Sequence, residues 1–412
     1  MHKYIRLIVY LLLLLLPISC NLIEHAGSTI LWIFTFLGMY LCLTRETFPS
    51  FDYKEKIIMW IFALYFFVCF FLFCANNLLN EYFSFTWELN NEMRMLTFIP
   101  IYFLFKKAKL NTSVLWYGVS AGAIIYGIYA LVYAYGLSGN PRVAGTYGPI
   151  AFGDISLVLS FISITGIRKF QTDHKVLIII PILAFAGGIM ASFLSGTRGA
   201  VIAIPFLVFI FFIQLGTFKS PWLYRNIFIL TIIVLSVSYY HLPGNWFDIR
   251  IRSSVTKAKL FFHDSNAGFI DVRLSMWTEG WKMFLEHPFC GIGPEGYRKT
   301  IQQKAADNQI PHQIEGFKTP HNMYLTKMVA YGIFGMLMLF AVFLSPLFVF
   351  IQAVKTKGLA SDIAYAGIML IVSFMLFAMT ESIFYRNINT NFYIIMLAAI
   401  LSLIKFYKKP GN

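Results

Sequence analysis

The chain has 412 residues and a formal net charge of +14, and 58% of its residues are hydrophobic while only 13% are charged. Soluble globular domains carry about 25% charged residues, so this composition excludes an ordinary soluble protein. The positive charge does not indicate nucleic-acid binding, because the lysines and arginines lie in short clusters between apolar runs and do not form one soluble basic face. We therefore predict an all-α polytopic membrane protein.

The apolar runs approach the length of about 20 residues that a bilayer-spanning helix requires. They predict about twelve membrane helices. These cover residues 6–23, 27–44, 57–75, 92–106, 113–137, 148–167, 176–194, 199–216, 226–242, 321–352, 362–380 and 389–405. The first run resembles a signal peptide, but an uncleaved first helix is the better interpretation.

The distribution of basic residues predicts the orientation. With both termini in the cytoplasm, the inner segments hold eighteen lysines and arginines and the short outer segments hold four, which are Arg94, Arg142, Arg198 and Arg386. This asymmetry satisfies the positive-inside rule. It also requires the fourth helix, which brings Glu92 and Arg94 to the outer membrane boundary. There they are either functional residues or a mutual ion pair.

Residues 243–320 form the one segment long enough to fold outside the bilayer. We predict three regions from this: membrane helices over 1–242, an outer loop domain over 243–320, and membrane helices with a cytoplasmic C-terminus over 321–412. Within the loop, apolar spacing predicts a helix near Val272–Leu285 that carries Arg273, Trp277 and Trp281 on one face. This helix either binds substrate or lies on the membrane with its tryptophans inserted.

The outer arginines suggest an anion site, because the guanidinium fork matches phosphate and carboxylate groups. The sequence Ser195-Gly196-Thr197-Arg198 is a tight turn before a membrane helix, which Ser195 or Thr197 could cap. A helix N-terminus beside an arginine can bind an anion. The alternative is that Arg198 only reaches for the membrane interface.

The sequence Thr319-Pro320-His321-Asn322 repeats this pattern, with Thr319 as the expected cap and Pro320 at the first helical position. His321 would then lie in the first helical turn, where the helix dipole favours the neutral imidazole that a general base requires. His312 is a rival candidate, and a purely structural histidine is the other alternative. No cluster with metal-ligand spacing occurs in the outer segments.

These motifs together resemble the O-antigen ligase and polymerase superfamily. The resemblance rests on the order of the Ser-Gly-Thr-Arg-Gly turn, Arg273-x3-Trp277, His287-Pro288-Phe289-x-Gly291-Ile292-Gly293, and His321-Asn322-x9-Gly332-x-x-Gly335. The last pattern and the modest loop length are similar to the ligase branch. The motifs and the twelve-helix layout cover most of the chain.

The resemblance implies a GT-C-like glycosyltransferase of the cell inner membrane that acts on the periplasmic side. It would move a glycan from undecaprenyl diphosphate to the lipid A-core oligosaccharide, without a cofactor, nucleotide or metal. Arg198 and Arg273 would bind the diphosphate, and His321 would be the essential histidine. A second set of residues is expected to contact the substrates: Arg142, Asn322, Asp154, Trp277 and Arg94. Asp154 either orients an arginine or histidine or forms a buried ion pair.

Two other functions remain open from the sequence. An O-antigen polymerase would use the same donor with another lipid-linked glycan as acceptor. A flippase for lipid-linked sugars would also have many helices, but it needs polar residues at several membrane depths. In this chain the candidate residues gather at one side.

Overall fold

The computed structural model describes residues 3–44, 49–79, 87–134, 142–217 and 272–407, together with seven single positions between 222 and 233. The predicted ninth helix at 226–242 lies outside the described residues except at those positions, and so do loop residues 243–271. The described chain contains helices and no β-strand, which confirms the all-α prediction. The helices are α1 Lys3–Ser19, α2 Ala26–Leu43, α3 Tyr53–Leu79, α4 Trp87–Leu96, α5 Phe98–Ala108, α6 Thr112–Val132, α7 Pro149–Thr165, α8 Ile167–Asp173, α9 Ile179–Ser195, α10 Arg198–Leu215, α11 Val272–Glu286, α12 Gly296–Ala306, α13 Met323–Val354, α14 Leu359–Ala378 and α15 Asn387–Tyr407.

Eight helices in the described residues are long and apolar enough to cross a membrane, and the bent pair α7–α8 makes nine. The pair bends by 49° at Gly166, which packs against the Trp116 ring. Helix α1 has 17 residues, and the predicted fourth helix is divided into α4 and α5. The membrane-spanning character is thus confirmed, and the number twelve stays a prediction.

The division of the predicted fourth helix has a local cause. Pro100 lies near the start of α5, and its ring nitrogen cannot donate the hydrogen bond that would continue the helix from Leu96. Thr97 fills the junction, where its hydroxyl donates to the Arg94 carbonyl at 2.6 Å. As a result, α4 places Asn91, Glu92 and Arg94 at one end of the helix assembly.

Helices α14 and α15 form the centre of the membrane-embedded part. In α15 94% of the spanning residues are buried, and in α14 78%, against 33% in α3. A helix that is apolar on all sides is stable when other helices surround it. Helix α15 packs on α2, α5 and α14, while α14 also packs on α7, α10 and α13. The outer end of α14 is therefore close to several helix ends.

The described part of the loop domain packs on the first half of α13. Met276 and Met283 of α11 share a small core with Ile301 of α12 and with Leu325 and Val329 of α13. The predicted helix near Val272–Leu285 is confirmed as α11, and the turn that was predicted after it is also present.

The turn after α11 joins the loop domain to a break in α13. The amides of Ile292 and Gly293 donate to the carbonyls of Val329 and Ala330 at 2.9 and 3.0 Å, and the Ile333 amide donates to Pro288 at 2.8 Å. Gly332 lies at this break with φ 62° and ψ −156°. The two glycine motifs that the sequence analysis treated separately are therefore parts of one contact.

The end of the helix assembly that lies opposite to the loop domain carries lysines and arginines that were predicted to face the cytoplasm. Lys106 pairs with Glu55 at 2.7 Å, and Arg168 pairs with Asp362 at 3.2 Å. Gln214, near the end of α10, donates to Asp362 and to the Thr165 carbonyl. The residues predicted for the inner segments and those predicted for the outer segments thus lie at opposite ends of the helix assembly.

Candidate active site

His321 forms a hydrogen-bonded pair with Glu381. The distance from its Nδ1 to Oε1 of Glu381 is 2.9 Å, and the two side chains are 22% and 5% exposed. When Nδ1–H donates to this carboxylate, Nε2 is the nitrogen that can accept a proton. The arrangement of a histidine held by a buried carboxylate is one that general bases use.

The backbone holds His321 outside the helix that follows it. Asn322, not Thr319, is the N-cap of α13, because its side chain accepts from the Leu325 amide at 3.1 Å. The predicted Thr319 cap and the placement of His321 in the first helical turn are therefore wrong. His321 has φ 50°, a left-handed conformation that costs about 1–2 kcal/mol for a non-glycine residue. Such strain persists where tertiary contacts impose it.

Two aromatic residues of the loop domain impose that conformation. Trp277 Nε1 donates to the Pro320 carbonyl at 2.9 Å, and the Phe317 ring meets the His321 ring edge to face at 5.3 Å. Trp277 therefore positions the histidine segment, and its contact with substrate stays a prediction. Trp281 is 49% exposed.

Glu381 lies where several positive groups meet. Its Oε1 also accepts from the Ser382 amide at 3.2 Å and lies 4.0 Å from Arg386 Nε. Burial alone would raise the pKa of Glu381, but the hydrogen bond from His321 and the charges of His321, Arg386 and Arg273 outweigh it and lower the pKa. The carboxylate is thus ionised at neutral pH, and its contribution to stability is lost only as the pH falls through this lowered pKa.

Arg142 and Arg198 meet at the turn between α9 and α10. Arg142 Nε donates to the Ser195 carbonyl at 3.1 Å, and Arg198 is the exposed first residue of α10. Burial, and next the charge of Arg198, lower the pKa of the Arg142 guanidinium. Two guanidinium groups that repel each other can be neutralised together by a ligand with two or more negative charges.

The amides at the start of α10 have no side-chain cap. Thr197 is the N-cap, but its hydroxyl bonds to the Pro149 carbonyl at 3.0 Å and to Ser195 Oγ at 2.8 Å. Thr197 thus occupies the expected N-cap position, but neither its side chain nor that of Ser195 forms a capping hydrogen bond. The positive end of the helix consequently adjoins the two arginines.

The arginine turn and the His321–Glu381 pair belong to one site. A Cβ atom on Gly199 would overlap the hydroxyl of Thr380, the residue that precedes Glu381. On the next helix, Arg386 Nη1 donates to the Tyr147 carbonyl at 3.3 Å, in the segment that connects Arg142 to α7. The turn that carries Arg142 and Arg198 therefore packs beside the segment of Glu381, and Arg273 and Arg386 are close enough to Glu381 to interact with it electrostatically.

Asp154 follows Gly153 in α7, and a Cβ atom on Gly153 would overlap the hydroxyls of Ser195 and Thr197. Asp154 is 3% exposed, and it is close enough to Glu381 and Arg386 to interact with both electrostatically. Among the described residues it forms no ion pair within 4 Å, so the ion-pair alternative is wrong there. Its role in orienting an arginine stays a prediction.

Two predicted substrate contacts are engaged elsewhere. Arg94 is buried, and its Nη1 donates to Asn391 Oδ1 at 2.8 Å, while Glu92 pairs with Lys327. The mutual pair of Glu92 and Arg94 is therefore wrong. The side chain of Asn322 is occupied by its capping bond.

The rival histidine lies on the surface of the loop domain. His312 is 64% exposed and lies 3.5 Å from Glu315, and its Nε2 is 3.2 Å from Asn308. Both partners belong to its own loop, so the geometry favours His321 as the base candidate.

Glu381 is the residue that the sequence analysis missed. The only signal was one acidic residue directly after a membrane helix, in Thr380-Glu381-Ser382. Within the described residues, no three His, Cys, Asp or Glu side chains converge as metal ligands. The metal-free reaction stays a prediction.

Comparisons with known proteins bear on the family resemblance. A protein of Haemophilus influenzae, described as an uncharacterized protein, is 25% identical over 398 residues, which cover 95% of this chain and 97% of the relative. Residues 183–340 match the family model described as O-antigen ligase. The match includes Arg198, Arg273 and His321. It confirms the resemblance of this integral membrane protein to the O-antigen ligase superfamily over that part of the chain.

Proposed function

We propose that the protein is an O-antigen ligase, which transfers an O-antigen glycan from undecaprenyl diphosphate to the lipid A-core oligosaccharide. The observation that carries this proposal is the His321–Glu381 pair at 2.9 Å beside the Arg142–Arg198 turn. Such a site offers a base for a sugar hydroxyl and positive charge for a departing diphosphate.

The donor diphosphate would bind at the arginines. Arg142 and Arg198 flank the uncapped start of α10, and Arg273 and Arg386 approach from the loop domain and from the start of α15. Fixed guanidinium groups and helix amides stabilise charge that develops on a leaving group. The same groups supply the neutralisation that a divalent ion provides in other glycosyltransferases.

The transfer itself would be one inverting displacement. His321 Nε2 removes the proton of an acceptor hydroxyl, and that oxygen forms a bond to the anomeric carbon of the donor glycan. The bond from this carbon to the phosphate oxygen breaks, and undecaprenyl diphosphate departs with the electron pair. Glu381 stabilises the imidazolium that holds the proton, which solvent then removes.

The site would face the periplasm, with both termini in the cytoplasm. The basic residues at the opposite end of the helices support this orientation through the positive-inside rule. The protein would then meet both lipid-linked substrates in the outer leaflet of the inner membrane.

Lipopolysaccharide from a deletion strain tests this function. We expect lipid A-core without O-antigen, together with undecaprenyl-linked O-antigen of full chain length, and restoration by the wild-type gene but not by His321→Ala. Accumulation of single repeat units would instead identify a polymerase. A deletion that leaves capped lipopolysaccharide unchanged would refute both functions.

Substituting Glu381 with glutamine tests the positioning role of this carboxylate. Glutamine keeps the size of the side chain but removes its charge, so we expect kcat to fall about 10- to 100-fold, as when hydrogen-bonding supports of a reactive group are removed. The KM values for donor and acceptor should change little. Glu381→Asp, which keeps the charge, should recover part of kcat. A structural role alone would lower the amount of folded enzyme and leave kcat per folded molecule unchanged.

A further inference from the structure

A cavity lies beside the histidine segment and is separate from the arginine turn. Together with the open solvent at its mouth, it encloses about 480 Å³ of empty space. Its walls come from α4, α12, the segment Lys318–Pro320, the first half of α13, and Phe384–Tyr385. Pro320 and Met323, which lie just before and two residues after His321, thus border the cavity.

One wall of this cavity carries a polar atom without a partner. Asn91 is only 4% exposed, and its Nδ2 donates to the Tyr385 carbonyl at 3.1 Å. Its Oδ1 is buried and has no hydrogen-bond partner among the described residues. Buried amide oxygens are normally bonded, so a ligand hydroxyl or water is expected at this atom.

A buried ion pair forms the neighbouring wall. Lys327 and Glu92 are 3% and 8% exposed, and the Lys327 ammonium also lies 5.1 Å from the centre of the Tyr331 ring. Ionisable groups at membrane depth are costly and mark functional sites. With Tyr297, Thr326 and Tyr385 nearby, the cavity offers hydroxyl, amide, carboxylate and aromatic groups together.

This combination matches the chemistry of a sugar ring. A pyranose has an apolar face of C–H groups that packs on aromatic rings, and it has hydroxyls that both donate and accept hydrogen bonds. Asn, Glu and Thr side chains supply the complementary groups. A purely apolar lipid chain would leave Asn91 Oδ1 unpaired.

We propose that this cavity binds the terminal sugar of the acceptor oligosaccharide, an inference that rests on the proposed ligase function. None of the four arginines proposed to bind the donor diphosphate, which are Arg142, Arg198, Arg273 and Arg386, lines this cavity. A displacement requires the acceptor to approach His321 from a side that the leaving group does not occupy. The cavity, which borders the segment that contains His321, provides that approach.

Filling the cavity tests the proposal. Ala330 lines it, and the series Ala330→Val and Ala330→Leu adds volume without adding charge. Ala341→Leu makes the same change on α13 at a residue that is not part of the lining. Protein in lipid nanodiscs would be titrated calorimetrically with deacylated core oligosaccharide and, separately, with O-antigen glycan released from its carrier.

We expect Ala330→Leu to weaken binding of the core oligosaccharide at least 10-fold, with Ala330→Val between it and the wild type and Ala341→Leu unchanged. Asn91→Ala removes the unpaired oxygen without filling the cavity, and it should also weaken this binding about 10-fold. Circular dichroism and thermal unfolding would verify that each variant is folded.

Two outcomes would overturn the inference. If only the released O-antigen glycan loses affinity, the cavity belongs to the donor. If neither sugar loses affinity in Ala330→Leu, the cavity holds water only. Because binding is measured without transfer, the result is independent of the proposed reaction. A wild type that binds core oligosaccharide but does not transfer glycan would refute the function and leave the sugar site intact.

Discussion

Replacing His321 with alanine is expected to reduce glycan transfer by at least about 100-fold, because a positioned general base contributes about 10²- to 10⁴-fold to a rate. The imidazole is the basic group that Glu381 holds at 2.9 Å, and alanine leaves the acceptor hydroxyl without a proton acceptor. Transfer would be measured with purified enzyme, lipid A-core and undecaprenyl-linked glycan in detergent or nanodiscs.

Two further variants separate catalysis from stability. His321→Gln keeps an N–H group that can reach Glu381 but has no basic nitrogen, so it should be folded and as inactive as His321→Ala. His312→Ala removes the rival base candidate, which is 64% exposed, and should retain activity close to that of the wild type. Activity retained in both His321 variants, or lost in His312→Ala alone, would move the base to the other histidine.

The sequence predicted the location of this site better than its internal contacts. The positive-inside rule and the capping patterns assigned Arg142, Arg198 and His321 to one end of the helices, because hydropathy and charge are local properties. Glu381 could not be predicted as the partner of His321. Sixty residues separate the two, and only the packing of α13 beside α14 brings them together.

The start of α13 was predicted wrongly for a similar reason. Thr319 and Asn322 are both good N-cap residues, and they lie three positions apart in the sequence. The hydrogen bond from Trp277 to the Pro320 carbonyl holds the intervening residues outside the helix. A tertiary contact therefore decides between two local signals of similar strength.

Whole membrane helices could be predicted from the sequence, whereas the break within α13 could not. Apolar runs predicted α7, α10, α14 and α15 well, because each spans the membrane with few interruptions. The break in α13 was visible only as glycines within a resemblance motif. Its geometry depends on the backbone of Pro288–Gly293, which comes from another segment of the chain.

Substituting Gly332 with alanine is expected to destabilise the fold by about 3 kcal/mol or more, at the upper end of the usual cost of backbone strain. Gly332 has φ 62° and ψ −156°, a region that only glycine occupies readily. A Cβ atom there would also overlap the Phe289 carbonyl and lie 2.7 Å from the Pro288 oxygen. The alanine therefore separates the loop domain from α13 at the contact that positions the histidine segment.

Two other glycines provide matched controls for this effect. Gly358 has a similar conformation, with φ 72° and ψ −143°, but no heavy atom lies within 4 Å of a Cβ built there. Gly358→Ala should therefore cost only the backbone strain of about 1–3 kcal/mol. Gly316 has open space around it and no positive φ, so Gly316→Ala should be nearly neutral.

Apparent melting temperatures in detergent should fall in the order Gly316→Ala, Gly358→Ala, Gly332→Ala, with the last giving the lowest value. As the temperature approaches the melting temperature of Gly332→Ala, this variant should lose transfer activity before the other two variants do, because the displaced segment carries His321. Equal melting temperatures for Gly332→Ala and Gly358→Ala would mean that Pro288–Gly293 yields to the extra methyl group. The loop domain would then be held to α13 by its small apolar core, and the backbone contact at Gly332 would not be what positions the base.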